Sequence, residues 1–377
     1  MLVRLGVLST YPATQCGIAT FSEALVAHLT AAGATVGVVR LVDEPEPQVL
    51  PVVHQWVAGQ AGGPAAAAAA LDRYDVAVVQ HEYGIYGGAD GQDVLDVVAR
   101  LNVPVITVLH TVLTQPTPNQ YRVLAELTEG SAALVTMTTT ARDRLVAGWG
   151  VDPARVSVIA HGAEDNRSPI APLPNGTTRR RTVLTWGLLS EGKGIEWALL
   201  GLAELRRRMP LPDYQVVGQT HPRVLERDGE AYRDRLVALT GRLRLTERVR
   251  FDGRYLAGPT LREVVRRADV ILLPYDSREQ VTSGVLTEAV AAGKPVVSTR
   301  FPHAVELLSG GAGLLVPQRD PLAIADALGR VLSVHGLADR MASISRGLAT
   351  SLLWPAVAAR YLDLAASVQG VVLRAAV

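Results

Sequence analysis

The chain has 377 residues, more than one ordinary core holds and enough for two domains of common size. Its 37 basic and 36 acidic residues leave a formal net charge of +1, which excludes a protein that wraps nucleic acid by charge alone. At 48 % hydrophobic and 19 % charged it can bury sizeable cores, and its single cysteine, Cys16, allows neither an intrachain disulfide nor a thiolate metal cluster.

Short apolar runs alternate with longer helix-like segments, the pattern of βαβ units around a mostly parallel sheet. Val3–Leu8 predicts a strand and Ile18–Ala32 a helix ending at Gly33. Val36–Leu41, Val76–Val79, Val103–Leu109 and Ala133–Met137 read as further strands, apolar enough to be covered on both faces. The alanine run in Pro64–Leu71 is an ordinary helix by propensity. Around Arg167–Arg181 the composition turns to proline, glycine and polar residues and ends in three arginines. This stretch reads as a solvated interdomain linker rather than an anion site. The second half then repeats the first. Thr182–Trp186 is a strand, followed by a glycine-rich turn and a helix over Ile195–Arg208. Strands at Tyr214–Val217, Val249–Phe251, Val270–Leu273, Pro295–Ser298 and Gly313–Val316 continue the series. Trp354–Val368 is a last amphipathic helix with no strand after it. The apolar runs are far shorter than the roughly 18 residues that span a bilayer, and Met1–Thr10 shows no signal-peptide pattern. A cytoplasmic protein with no stable membrane insertion is expected.

Three clusters carry chemistry. Gly187-Leu-Leu-Ser-Glu-Gly192-Lys193-Gly194 follows a strand and precedes a helix. It lacks the Ser or Thr that would hold magnesium in a P-loop, yet helix-start N–H groups and Lys193 would still neutralise a phosphate. The run Glu279-Gln280-Val281-Thr282-Ser283-Gly284-Val285-Leu286-Thr287-Glu288 leads into a helix whose small residues present free N–H groups at the carboxyl end of the sheet. Glu288 there could accept a ribose hydroxyl, or be a plain helix glutamate. In the first half, Gly17 opens a helix, and His81, His110 and His161 follow predicted strands, on the side where open α/β sheets bind ligands; at least one of them is expected to be structural. No HExxH, His/Cys cluster or Asp-x-Asp pair supports a metal site, and no Gly-x-Ser-x-Gly elbow supports a hydrolase.

Tandem Rossmann halves, the turn with Lys193, the run Glu288-Ala-Val-Ala-Ala-Gly293-Lys-Pro-Val-Val297 and the last helix together resemble the retaining glycosyltransferases of family 4. The resemblance implies the GT-B fold: α/β, two Rossmann-like domains whose parallel sheets face a central cleft, with a C-terminal helix crossing back. It places an acceptor domain over residues 1–170 (with 354–377) and a nucleotide-sugar donor domain over 178–353. By position, Lys193 resembles the lysine that holds the donor pyrophosphate, and Glu288 the second acid of an E-x7-E motif that binds the ribose. Gly187 and the loop Thr282, Ser283, Gly284, Val285 and Leu286 resemble the donor-gripping elements, and the backbone from Arg254 to Leu256 would meet the base. Gly17 resembles the glycine close to the phosphates and His110 the histidine near the sugar, with His81, Glu82 and His161 on the acceptor side.

Two positions depart from the pattern. The arginine expected after Gly187 is Leu188, for which Arg254 or Arg300 could compensate, and the first acid of E-x7-E is Gln280, with Glu279 next to it. Gln280 can hydrogen-bond a sugar hydroxyl but cannot act as base or nucleophile. The implied activity is a hexosyltransferase using a nucleotide-diphosphate sugar of GDP-mannose or UDP-glucose type. It would proceed by front-face substitution, without cofactor or metal, and with catalytic roles for His110, Lys193 and Glu279 or Gln280. A GT-B epimerase and a non-catalytic sugar-nucleotide-binding protein are the alternatives. The expected partners are a nucleotide sugar and a sugar or other small-molecule acceptor, not nucleic acid, in a monomer or homodimer.

Overall fold

The computed structural model describes residues 3–168, 179–256 and 258–375, so the centre of the expected linker, 169–178, lies outside the described residues. The chain forms two compact units, Met1–Gly162 with Trp354–Val377 and Ala163–Leu353. The division falls ahead of residue 170 because Ala163–Ser168 belong with the second unit, where the Asn166 amide donates to the Arg262 carbonyl at 2.9 Å.

In the first unit the order is β1 (Arg4–Ser9), α1 (Gly17–Ala31), β2 (Thr35–Val42), β3 (Val52–Val57), α2 (Gly63–Leu71), β4 (Val76–His81), α3 (Asp93–Val98), β5 (Val105–Leu109), α4 (Pro118–Glu129), β6 (Ala133–Thr136), α5 (Thr139–Trp149) and β7 (Val156–Val158). The seven strands pair in parallel in the order β3-β2-β1-β4-β5-β6-β7. Two strands were not expected from the sequence, β3 and β7. Both are edge strands. In β3 only Val52 and Trp56 are buried, with His54 and Gln55 between them, and β7 has three residues, so neither shows a clear apolar run.

The second unit runs β8 (Thr182–Trp186), α6 (Ile195–Leu205), β9 (Asp213–Val217), α7 (Pro222–Asp228), α8 (Ala231–Arg242), β10 (Val249–Asp252), α9 (Gly258–Arg267), β11 (Val270–Leu273), α10 (Gly284–Ala291), β12 (Val296–Thr299), α11 (Pro302–Leu308), β13 (Gly313–Val316), α12 (Pro321–Ser333) and α13 (Leu337–Leu352). Its sheet is parallel, in the order β10-β9-β8-β11-β12-β13. The strand order reverses between β8 and β11, and a crevice at the carboxyl ends of such strands is where open α/β sheets take ligands.

The last helix, α14 (Trp354–Ala375), belongs to the first unit. Trp354, Val357, Ala358, Tyr361, Ala365 and Val368 recur at helical spacing and join Phe21, Leu25 and Leu29 of α1 in one buried cluster. Full burial of each large side chain there contributes roughly 1.5–3 kcal/mol. That seam is what makes the final helix part of the first unit's core.

Candidate active site

The glycine-rich turn after β8 lies at the strand-order reversal of the second unit. It is fixed from both sides: Leu189 N–H donates to Gln219 O at 2.8 Å and Asp276 N–H to Gly192 O at 2.8 Å. Gly194 ends the turn with φ +65°, and a Cβ there would lie 2.0 Å from the Pro274 carbonyl oxygen, so only glycine lets the turn pass the end of β11. Lys193 Nζ is thereby held 4.4 Å from the centroid of the Tyr275 ring. That ring is fully buried and stacks on Phe301 at 5.2 Å. The aromatic face attracts the ammonium without neutralising it, and among the described residues Lys193 has no carboxylate partner.

Against this turn stands the start of α10, with Val285 Cγ2 3.5 Å from where a Cβ on Gly187 would lie. Ser283 caps the helix: its hydroxyl accepts from Leu286 N–H at 3.2 Å, while its own N–H donates to Nδ1 of the buried His303 at 2.8 Å. Of the Ser283–Val285 amides expected to face an anion, Ser283 is therefore already committed. Gly284 and Val285 remain, because a helix's first N–H groups have no intrahelical acceptor. Thr282 Oγ1 is buried beside them with no hydrogen-bond partner.

Glu288 sits one turn further along α10, and the Trp186 indole N–H donates to its carboxylate. Burial pushes this carboxyl up to about 7, the Trp186 hydrogen bond opposes the rise, and the charge of Glu164 adds to it. Glu279 and Gln280 are half-buried on the loop leading to α10, where the Gln280 carbonyl accepts from His303 N–H at 3.5 Å. Leu188 is half-buried too. Arg254, a candidate to compensate for the missing arginine, is exposed and paired with Asp252 at 2.6 Å. Arg300 is exposed just after β12.

In the first unit, His81, His110 and His161 gather at the carboxyl ends of β4, β5 and β7. The His110 and His161 rings each meet Phe21 edge-on at 5.0 Å, and His110 Nε2 bonds Gln80 Oε1 at 2.8 Å. The His161 Nδ1–H donates to the Gly162 carbonyl at 2.8 Å. His81 is fully buried with neither ring nitrogen bonded. Burial pulls His81 and His161 down to about 4 and His110 to about 3, so all three are neutral at pH 7. Glu82 accepts from Thr111 Oγ1–H at 2.5 Å and from Tyr83 N–H at 3.0 Å. Gly17 is the first residue of α1, with no atom within 4 Å of where a Cβ would lie, and Cys16 Sγ caps the helix by accepting from Ala19 N–H at 3.3 Å. Among the described residues no group of three His, Cys, Asp or Glu could hold a metal ion.

Trp186, Tyr275 and His303 escaped the sequence reading. Each sits in or beside a strand or helix pattern that explains it as core, and only the fold brings it to the site. Trp186 alone had a signal, as an aromatic residue placed directly before the glycine turn.

The model of the family Glycosyl transferases group 1 matches residues 180–334, and that of Glycosyltransferase Family 4 matches residues 16–167. The D-inositol 3-phosphate glycosyltransferase of Corynebacterium diphtheriae is 31% identical over 246 residues, covering 62% of this chain and 55% of that protein. Its counterpart from Frankia alni is 30% identical over 293 residues, covering 71% and 69%. The chain thus spans about half to two thirds of the length of these curated relatives. Among solved structures, sucrose-phosphate synthase from Thermosynechococcus elongatus superposes with a TM-score of 0.78 at 20% identity, covering 98% of this chain and all of that one. The Anabaena HepE protein in complex with UDP and glucose does so with 0.76 at 17% identity, covering 97% of this chain and all of that one. The fold is GT-B, and with both halves matched by family models and the Frankia alni relative 30% identical, this chain belongs to the family 4 glycosyltransferases.

Proposed function

We propose that this chain is a retaining glycosyltransferase that moves a hexosyl group from a nucleotide-diphosphate sugar to an acceptor hydroxyl, without a metal. The observation that carries this reading is the group at the second unit's strand-order reversal. There Lys193, with no acidic partner among the described residues, belongs to the glycine turn that packs on Val285 at the start of α10, the helix that carries the Gly284 and Val285 amides and, one turn on, Glu288. A lysine and two helix-start amides supply the positive charge that a departing diphosphate requires. Glu288 accepts from the ribose hydroxyls, and Thr282 and Gln280 hydrogen-bond the sugar.

In the reaction the bond from the anomeric carbon to the diphosphate oxygen breaks, and the acceptor oxygen bonds the anomeric carbon from the same face. The acceptor proton passes to the departing phosphate oxygen. The protein contributes positioning and charge stabilisation rather than a covalent intermediate. His81, Glu82, His110 and His161 of the first unit are assigned to the acceptor, with His110 neutral and held by Gln80. Residues of unit one thus handle the acceptor and those of unit two the donor.

The relatives' names make D-inositol 3-phosphate the first acceptor to try, with GDP-mannose and UDP-glucose as the first donors. The test measures acceptor-dependent release of nucleoside diphosphate, with and without a chelator, and the anomeric configuration of the product by NMR. Release that survives chelation, with the donor's anomeric configuration kept, is expected. Absence of release across a panel of donors and acceptors would overturn the assignment, and an inverted product would overturn the retaining mechanism.

A further inference from the structure

At the amino ends of β8, β9 and β10, the opposite end of the sheet from Lys193, the second unit holds a cavity of about 740 Å³. Arg180, Arg206, Arg244 and Arg248 line it, with Met209–Leu211 as an apolar wall and Glu247 as the one acidic lining residue. The neighbouring carboxylate of Asp213 is shared between Arg180 at 3.8 Å and Arg248 at 3.4 Å. Arg206 spends its guanidinium on the carbonyls of Leu243 and Arg244. Arg244 has no hydrogen-bonding or ionic partner for its guanidinium among the described residues. Four cations face two carboxylates, so the cavity is left positive. Of the three consecutive arginines, Arg179 and Arg181 both pair with Asp269, at 2.6 and 3.3 Å, and only Arg180 lines the cavity.

Helix α8 ends with Leu245 N–H donating to Thr240 O at 3.0 Å and Arg244 N–H to Gly241 O at 2.9 Å, the paired bonds of a Schellman ending. That ending places the intervening residue in the left-handed region, where glycine is favoured, yet the residue is arginine with φ +55°. The side chain at this strained position lines the cavity.

We propose that this cavity is a second ligand site, distinct from the one around Lys193, that takes a phosphate-bearing compound. Planar guanidinium groups match phosphate oxygens two at a time, and with Arg180, Arg206 and Arg244 exposed the cleft is open to a ligand from solvent. The wall of Met209–Leu211 fits the apolar part of an organic phosphate.

The test titrates inorganic pyrophosphate into the full chain carrying Lys193→Ala, so that the site near α10 is disabled, and repeats this with Arg244→Gly added. One binding event is expected, weakened at least tenfold by Arg244→Gly while the thermal midpoint does not fall, because glycine suits the backbone there. Should that midpoint fall, Arg180→Gln provides the same reading of affinity. A parallel sedimentation with phosphatidic acid vesicles identifies the source of the phosphate. Sedimentation that Arg244→Gly abolishes assigns a lipid headgroup, and pyrophosphate binding without sedimentation assigns a soluble compound. If neither probe binds, or if binding ignores both arginine substitutions, the proposal is overturned.

Discussion

At the scale of single residues, the chain isolates its own experiment. Of its 37 basic residues only two are lysines, Lys193 and Lys294. Lys294 is buried and donates to the carbonyls of Arg266 and Ala268, and burial lowers it to about 8. An isotope label on lysine amines therefore reports on Lys193, and a nucleoside diphosphate is expected to move that NMR signal and not the other. Lys193→Ala should lower kcat/KM on the order of 10²–10³-fold, the usual cost of removing one charge-stabilising donor; an unchanged rate would remove the lysine from the mechanism. Glu288 makes the second prediction. Its carboxyl is raised from 4.5 to about 7, so the folded chain binds this proton more tightly than the unfolded one, and the residue's contribution to stability falls as pH rises from 4.5 through 7. Glu288→Gln should be the more stable protein at pH 8, by on the order of 1–3 kcal/mol. If the ionised carboxylate holds the ribose, nucleotide affinity in the parent chain should rise between pH 6 and 8. That rise should vanish in the Gln variant; a rise that persists would assign the pH dependence to another group.

At the scale of elements, two packed joints set the geometry. One is the Lys193 turn against β11; the other is the entry into α14, where a Cβ on Gly162 would lie 2.1 Å from the Trp354 ring. Gly162→Ala should destabilise the chain by roughly 1–3 kcal/mol through overpacking, read as a lowered denaturation midpoint at an unchanged slope. The strands were the most legible part of the sequence. Thr182–Trp186, Val270–Leu273 and Gly313–Val316 are runs whose ends the pairing reproduces. The ends of helices were less legible. The start of α10 at Gly284 is set by Ser283, whose hydroxyl caps the helix, a choice of acceptor made by one side chain.

At the scale of the molecule, the two units differ in how their buried groups respond to acid. The first holds His81, His110 and His161, all lowered from 6.5 to between about 3 and about 4 by burial. Unfolded, these rings bind protons below pH 6.5, and folded they do not, so their stability contribution is lost as pH falls from 6.5 toward 4. In the second unit His221 shifts in the same direction, and Glu288 opposes it. Hydrogen exchange at pH 5 against pH 7 should therefore show protection lost first in Met1–Gly162. His81→Phe, which keeps an apolar ring in a site with no hydrogen bonds, should reduce the proton uptake of acid unfolding by about one. Simultaneous loss of protection in both units would contradict this division.

The sequence by itself determined the alternation of strand and helix, the repeat of one Rossmann pattern after another, and the positions of Lys193, Glu288 and the three histidines after their strands. Those follow from apolar periodicity and from glycine spacing, which are local. Only the tertiary structure decided which of these residues meet. It set Lys193 over Tyr275, joined Trp186 to Glu288, and turned the Ser283 amide to His303, contacts between residues up to about 100 positions apart in the chain. It also separated the three arginines, two to Asp269 and one to the cavity edge. Such pairings depend on strand order and on how each turn packs against its neighbour, and neither is written in any single stretch of sequence.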